Sequence, residues 1–258
     1  MAKNAGVKSL ELIVLYEEKI NSNDEVVKYK SIPKIYKDVG DFEFYEVDGV
    51  NHLRTTSILS HWVPPRLKNY FQKNSLNASE KKLKSAGSVG SAIHKQIEMN
   101  IDPSHLSAAE MKLYENGKSA YLKFKEEVDC QPICYELTLA SKDLGIAGTI
   151  DLICKYEGKL TLIDWKSGYV GESARWQTSA YKYIFEENFG EQIQVVVVKL
   201  DKNNGTYFPI KYVNYDMSLR AYIGVLSAFQ DTHYKQLMEA WPQYWNKDFS
   251  NIKHRSWK

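Results

Sequence analysis

The chain has 258 residues, of which 43% are hydrophobic and 26% are charged, a composition typical of one large globular domain or two small ones. The formal net charge is +2, which excludes a generally polycationic surface, so that any surface for a polyanion must be local. The three cysteines lack CxxC spacing, which argues against a disulfide framework or a zinc site and favours reduced thiols. No run approaches the roughly 18 apolar residues of a membrane span, and we expect a soluble, cytoplasmic protein.

The N-terminal half is predicted to contain a β-hairpin and several helices. Residues 8–20 fit either a helix or a strand, whereas residues 42–56 alternate in hydrophobicity and carry the hairpin signal Asp48-Gly49. Three helical segments follow: residues 57–73 with a break at Pro64-Pro65, residues from about Val89 to 99, and residues 107–128.

The C-terminal half is dominated by predicted strands. Three consecutive strands are predicted in the stretches ICYELTLAS, IAGTIDLIC and LTLIDWK. A helix over residues 173–189, with Ser173 as its N-cap, comes next. Two further strands joined around Asn203-Asn204-Gly205 precede a C-terminal helix from Asp216 to about Trp245. This order predicts an α/β (α+β) fold, with a central mixed β-sheet between helices.

The stretch GTIDLICKYEGKLTLIDWKSG, residues 148–168, places charged residues in apolar strands. A turn at Glu157-Gly158 sets Asp151 directly opposite Asp164, with Cβ atoms roughly 5 Å apart on one face of the sheet. Lys166 lies two residues further along the same face. Two ionised carboxylates this close repel each other, and a divalent cation such as Mg²⁺ removes the repulsion. The patch therefore predicts either a metal site for phosphate chemistry or a structural cluster of ion pairs.

This stretch, together with WQTSAYKY after it, resembles the PD-(D/E)XK nuclease superfamily, and specifically a phage-type member of its RecB-like exonuclease branch. The resemblance covers roughly residues 87–185. It implies a restriction-endonuclease-like core in which Asp151, Asp164 and Lys166 form the catalytic set. The two aspartates would bind the metal, and Lys166 would assist the attacking water or hold a phosphate oxygen.

The resemblance also implies roles for residues outside the hairpin. Gln177 and Tyr181 lie one helical turn apart and are expected to contact the DNA strand or the catalytic hairpin. His94, in the stretch GSVGSAIHKQIE, is the candidate histidine ligand, although by itself it also fits a core position. The backbone carbonyl of Trp165 is the further metal ligand that the resemblance implies.

The expected cofactor is Mg²⁺ or Mn²⁺, since oxygen ligands with one imidazole suit both ions. Some relatives hold an iron–sulfur cluster with one early cysteine and three late ones. The cysteines of this chain do not follow that pattern, so no cluster is expected and they are interpreted as structural: Cys130, Cys134 and Cys154.

The sequence alone leaves two interpretations open for several residues. Glu136, in the strand before the hairpin, either assists the metal as a catalytic residue or faces solvent, and Glu98 either supports the ligands or lies at the surface. Three aromatic residues either stack bases or pack in the core: Trp62, Tyr70 and Trp176. The basic groups either contact phosphates or are solvated: Lys81, Lys82, Lys84 and the tail KHRSWK.

We expect a single nuclease domain over residues 1–258 with an added N-terminal helical region. Its parts would be an N-terminal hairpin and helical region carrying His94 (1–129), a catalytic sheet and helix (130–215) and a C-terminal helix (216–258). The expected partner is DNA, as single strands or duplex ends, together with a helicase, a single-strand-binding protein or a recombination protein. No membrane partner is expected, and the location would be the host cytoplasm if a phage encodes the chain.

The expected activity is hydrolysis of DNA by an exonuclease that acts from an end or on a single strand, in replication, recombination or repair. Two alternatives stay open. The first is a structure-selective endonuclease, because the same motif serves both kinds of enzyme. The second is a non-catalytic DNA-binding accessory of recombination that keeps the fold and the motif. The intact pair of aspartates with the lysine argues against the accessory role.

Overall fold

The computed structural model describes residues 29, 31–32, 36–39, 42–62, 76–99, 103, 105–212 and 214–252. Four sequence predictions lie outside these residues: those for residues 8–20, the break at Pro64-Pro65, Tyr70 and the tail KHRSWK. The side chains of three further residues are likewise outside the description: Lys81, Lys82 and Glu98.

Eight strands and five helices are present within these ranges. In chain order they are β1 Tyr36–Val39, β2 Phe42–Val47, β3 Val50–Arg54, α1 Thr55–Ser60, α2 Leu76–Met99, α3 Ala108–Glu127, β4 Cys130–Ser141, β5 Ile146–Tyr156, β6 Lys159–Lys166, α4 Glu172–Phe189, β7 Gln194–Asp201, β8 Thr206–Lys211 and α5 Tyr215–Ala240. None of the helices in the described part of the chain combines the length and the apolar character needed to cross a bilayer.

All eight strands belong to one mixed sheet, in the order β1-β2-β3-β5-β6-β7-β8 with β4 paired to β5 as well. Strands β3 and β6 share one edge of β5, because β3 pairs with Ile146 and Ala147 while β6 pairs with the other end, from Leu152 to Tyr156. Strand β4 runs along the opposite edge of β5. The predicted mixed sheet is confirmed, and its central strand has an opening on one edge between β3 and β6.

Helices cover both faces of the sheet. One core joins residues of α1, α4 and α5 to the sheet, and the other joins residues of α2 and α3 to it. Strand β6 contributes to both, since Leu162 packs in the first core whereas Ile163 and Trp165 pack in the second. A strand that is buried on both faces needs apolar residues at successive positions, which explains the run Val195–Val198 in β7.

Two tight turns form as their sequences predict. Asp48-Gly49 joins β2 to β3, with φ of 51° and 76°. Glu157-Gly158 joins β5 to β6, with φ of 51° and 74°. Positive φ at both central residues is the type I′ geometry, whose twist matches that of antiparallel strands and which favours glycine at the second position.

Two predicted helix starts are wrong. Helix α2 begins at Leu76 rather than near Val89 and continues through both of its glycines. Burial of Val89, Ala92 and Ile93 outweighs the low helix propensity of these glycines. Helix α4 begins at Glu172 after Gly171, which makes no side-chain cap, so Ser173 is not the N-cap.

The other long helices are close to the prediction. Helix α3 starts after Ser107, whose side chain forms a capping box with Glu110. Helix α5 ends at Ala240, short of the predicted Trp245, and its backbone leaves helical geometry at His233. Its end lies two residues before Pro242, which cannot continue the helical hydrogen-bond pattern.

Candidate active site

The predicted carboxylates lie where the β5–β6 hairpin opens. The predicted register holds from the pair Tyr156–Lys159 to the pair Leu152–Ile163, and the ladder ends there, one position before Asp151 and Asp164. Instead of continuing the ladder, Asp151 accepts a hydrogen bond at its Oδ2 from the backbone N–H of Trp165, at 2.7 Å. The Asp151 carboxylate therefore takes the place of a backbone carbonyl and ties the two strands together where they separate.

Strand β4 is irregular at the same level. The pairs Tyr135–Leu152 and Leu137–Ile150 place Glu136 across from Asp151, and Glu136 has φ of 52°. Residues two apart in a regular strand share a face, yet Tyr135 packs with the α2–α3 core and Leu137 with the other core. The side chains of β4 thus switch faces of the sheet at Glu136, and such an irregularity commonly accompanies a functional site. A metal role for Glu136 stays a prediction.

Asp164 and Lys166 form a close ion pair beside Asp151. Lys166 Nζ lies 2.7 Å from Asp164 Oδ2, and the two side chains are 25% and 1% exposed. Burial raises the pKa of Asp164 to about 6, and the carboxylate of Asp151 adds to this effect, while Lys166 opposes it. Burial disfavours the ammonium of Lys166, but the two carboxylates outweigh burial and raise the pKa of Lys166. The lysine is therefore protonated at neutral pH.

Helix α4 supplies the glutamine and tyrosine that the sequence singled out. Gln177 Nε2 donates hydrogen bonds to Asp164 Oδ1 at 3.3 Å and to Tyr181 Oη at 3.2 Å. The Tyr181 ring lies against Gly148 of β5, where an added Cβ would come within 2.4 Å of the ring carbon Cε1. Burial, followed by the charge of Asp164, raises the pKa of Tyr181 well above its ordinary value, so this hydroxyl stays protonated.

Helix α2 brings His94 to Asp151 from the opposite face of the sheet. His94 Nδ1 lies 3.8 Å from Asp151 Oδ2, and the imidazole is partly exposed. Gly90, one turn earlier, packs on Ser167, and a Cβ at Gly90 would lie 3.1 Å from the Ser167 Oγ. The glycine therefore allows α2 to pass close to the end of β6. Gln96 holds α2 to α3 by accepting a hydrogen bond from Tyr114 at 2.9 Å.

The donor atoms of this cluster suit a divalent cation. Asp164 Oδ2 is buried and accepts no hydrogen bond of regular geometry from the described residues, although it pairs with Lys166. The 3.8 Å between His94 Nδ1 and Asp151 Oδ2 falls in the range of roughly 3–4.2 Å expected for two atoms bound to one ion at about 2.1 Å.

The protein side chains alone do not complete the coordination. Among the residues that the structure describes, no three His, Cys, Asp or Glu side chains are gathered closely enough to hold a metal. Further ligands would be the Trp165 carbonyl and water, and Mg²⁺ usually keeps several waters. The Trp165 side chain fixes this strand to α3, with its ring 5.5 Å from Tyr121 and 5.2 Å from Phe124.

Two residues that the sequence analysis did not single out lie near the site. Burial raises the pKa of Tyr212, just after β8, and its hydroxyl is also within range of the charges of Arg175 and Asp164. Arg175 Nε is buried and makes no hydrogen bond within the described part of the chain. Arg175 could have been found from its place in the first turns of the helix that carries Gln177, whereas no local pattern marks Tyr212.

The remaining candidates are three cysteines and two tryptophans. Cys130, Cys134 and Cys154 are free thiols on β4 and β5. Trp62 is 41% exposed and contacts Trp176, which is half-buried and packs against the core that α1, α4 and α5 form with the sheet.

Comparison with known proteins agrees with this geometry. A model of the PD-(D/E)XK nuclease superfamily matches residues 102–255, which is more than half of the 258 residues. The match includes the β5–β6 hairpin and α4, whereas His94 precedes it. A search of curated proteins found no match. With the mixed sheet, the paired aspartates and the lysine in place, the chain belongs to the PD-(D/E)XK nuclease superfamily.

Proposed function

We propose that the protein is a DNA exonuclease of the RecB-like branch that requires Mg²⁺ or Mn²⁺. Nucleases of this superfamily generally use divalent metal ions. The observation that carries the proposal is the Asp164–Lys166 ion pair of 2.7 Å beside Asp151, at the opening of the sheet. An ion pair that served only the fold would not need the second carboxylate of Asp151 beside it, which a divalent cation would use.

His94, Asp151, Asp164 and the Trp165 carbonyl are the residues that would hold the ion. A bound ion would supply positive charge to the phosphate and lower the pKa of a bound water. Gln177 supports this arrangement, because its amide donates a hydrogen bond to Asp164 Oδ1 while Asp164 Oδ2 faces Lys166. Tyr181 in turn accepts a hydrogen bond from the same amide and fixes its orientation.

Lys166 acts as a donor in this proposal. Because the two neighbouring carboxylates raise its pKa, it carries its proton at neutral pH. A protonated ammonium holds a phosphate oxygen or orients the attacking water, and both tasks stabilise the charge that develops in the transition state. The sequence left open a third task, deprotonation of the water, which would require Lys166 to lose this proton first.

The exonuclease assignment rests on the resemblance of roughly residues 87–185 to the RecB-like branch. It makes single strands or DNA ends the substrate, and a helicase, a single-strand-binding protein or a recombination protein the expected partner. A phage-type member would act in the host cytoplasm during replication, recombination or repair.

The test is degradation of linear and covalently closed circular single-stranded DNA, each with Mg²⁺, Mn²⁺ or EDTA. Wild-type protein should degrade the linear strand only, in a metal-dependent reaction. Asp164→Asn should abolish the activity, because it removes the buried carboxylate that would bind the ion.

Glu157→Gln is the matched control, since Glu157 lies at the turn of the same hairpin, 58% exposed, in an ion pair with Lys211. This variant should keep wild-type activity. Degradation of the circle would identify an endonuclease instead. Binding of DNA without cleavage of either form would identify a non-catalytic accessory.

A further inference from the structure

A groove lies among the helices that cover one face of the sheet, α1, α4 and α5. It has a volume of about 530 Å³ and lies between the end of α1, the first turns of α4 and the middle of α5. Its walls are mainly apolar, and no acidic side chain is among the residues that line it. The lining residues include two tryptophans and two histidines: Trp62, Trp176, His61 and His233.

The tryptophans form a fixed aromatic wall with one ring open to solvent. Trp62 and Trp176 pack edge to face with their ring centroids 5.3 Å apart, and Trp62 remains 41% exposed. Behind them, the His61 ring lies 4.8 Å from the rings of both Phe229 and His233. This packing fixes the end of α1 to α5, so the exposed ring is held in place before any ligand binds.

Helix α4 carries residues of both the groove and the candidate active site. Trp176 lines the groove, and the next residue, Gln177, donates its hydrogen bond to Asp164. The Cα atoms of consecutive residues are about 3.8 Å apart, so a DNA strand whose phosphate reached Asp164 and Lys166 would bring a nearby nucleotide within reach of this wall. Aromatic walls without acidic groups suit such an occupant, because bases stack on rings while a carboxylate would repel the backbone.

We propose that this groove binds an unpaired base of the DNA strand that enters the active site, with Trp62 as the stacking surface. The inference rests on the nuclease function proposed above and deepens it, since it makes a single strand the preferred substrate over a paired end. A base within a duplex is already stacked on its neighbours and cannot present its face to Trp62.

The test measures binding without cleavage, in EDTA, so that it does not depend on activity. Fluorescence anisotropy would compare three labelled probes of equal length: a single-stranded oligothymidylate, the same backbone with abasic units in place of nucleosides, and a blunt duplex. Trp62→Ala should weaken binding of the oligothymidylate by about tenfold, because stacking on an aromatic ring contributes at this scale. Its binding to the abasic backbone and the duplex should stay unchanged.

Two further variants separate stacking from structure. Trp62→Phe keeps a ring and should restore most of the affinity for the oligothymidylate. Phe208→Ala is the matched control, because Phe208 is 49% exposed on β8, an element that does not line the groove, and it should change none of the three affinities.

Each remaining outcome overturns the inference. An equal loss for the oligothymidylate and the abasic backbone would show that Trp62 acts through the fold. No loss with any probe would show that the groove does not bind bases, and a change from dimer to monomer in Trp62→Ala would assign it to self-association. Because binding is measured apart from turnover, a protein that stacks bases but never cleaves would refute only the nuclease function.

Discussion

Asp164 is the residue on which the electrostatics of the site depend. Its side chain is 1% exposed, and burial raises its pKa to about 6. Lys166 and Gln177 contact its two oxygens from different elements, the first on β6 and the second on α4. In the proposed function, a proton, the ammonium of Lys166 and a cation would therefore compete for one buried carboxylate.

The pKa of Asp164 predicts how metal binding depends on pH. Because this pKa lies above the ordinary value of 3.8, the folded metal-free protein holds the proton more tightly than the unfolded chain does. Metal binding needs the carboxylate form, so the rise in Tm produced by Mn²⁺ should be largest above about pH 7 and decrease as the pH falls through about 6. Thermal melts with and without Mn²⁺ across this range measure the effect.

Asp164→Asn is the comparison for these melts, because its amide does not titrate. It should show little shift with Mn²⁺ at any pH. A shift in the wild-type protein that persists undiminished at about pH 5 would contradict Asp164 as a ligand.

Lys166→Met should separate catalysis from metal binding. Loss of the ammonium should lower the rate of DNA hydrolysis by about 10²- to 10⁴-fold, the usual contribution of a positioned catalytic group. Above neutral pH, Mn²⁺ binding measured by calorimetry should remain, because the predicted ligands are intact. Lys211→Met, in the exposed ion pair with Glu157, should leave both quantities unchanged. A wild-type rate in Lys166→Met would exclude Lys166 from the reaction.

At the scale of secondary-structure elements, the contact between α4 and β5 holds the site together. Tyr181 packs on Gly148, and this tyrosine positions the Gln177 amide that reaches Asp164. Such a close approach of a ring to a strand requires that the strand residue have no Cβ.

Gly148→Ala should therefore disturb both the fold and the activity. The added Cβ would lie 2.4 Å from the Tyr181 ring, so the ring must move and carry Gln177 away from Asp164. We expect a loss of about 1–3 kcal/mol in the free energy of unfolding, as for other overpacked cores, and a lower rate of hydrolysis. Chemical denaturation and the DNA assay measure the two effects.

Gly87→Ala is the matched control for Gly148→Ala. Gly87 is inside α2, and an added Cβ there meets no atom within 4 Å. Alanine has the higher helix propensity, so this variant should be more stable by about 0.5–1 kcal/mol with unchanged activity. Equal behaviour of the two variants would show that the contact between Tyr181 and Gly148 has no special role.

At the scale of the whole molecule, the site depends on a sheet with two covered faces. Asp164 lies on β6, with α4 on one face and α2 and α3 on the other, so Gln177 and His94 approach the carboxylates from opposite sides. The opening between β3 and β6 along β5 leaves room for the site in the middle of the sheet.

The cysteines should not hold the fold through a metal cluster. The three thiols lie within β4 and β5 and do not follow the pattern of one early and three late cysteines found in relatives that hold such a cluster. A triple variant with Cys130→Ser, Cys134→Ser and Cys154→Ala should fold, contain no iron and keep its DNA hydrolysis with Mg²⁺. The contradicting result would be iron bound to the purified wild-type protein that is lost, together with the activity, in the triple variant.

Local rules made part of this protein predictable from its residues. The strands, the turn at Glu157-Gly158 and the hairpin register follow from alternation and turn chemistry, which involve neighbours in the chain. The placement of Lys166 beside Asp164 follows as well, because residues two apart on a strand share a face. Helix starts were less predictable, since the glycines of α2 have low helix propensity and burial of apolar residues elsewhere in the helix offsets it.

Contacts between distant segments set the rest. The hairpin opens at Asp151, across from the residue at which another strand switches the faces of its side chains, Glu136. No pattern of neighbouring residues predicts this. The approach of His94 depends on how α2 crosses β6, and the groove at Trp62 depends on three helices meeting. Such features arise from side-chain packing across the folded chain, whose energies depend on which surfaces meet and not on the order of residues along any one segment.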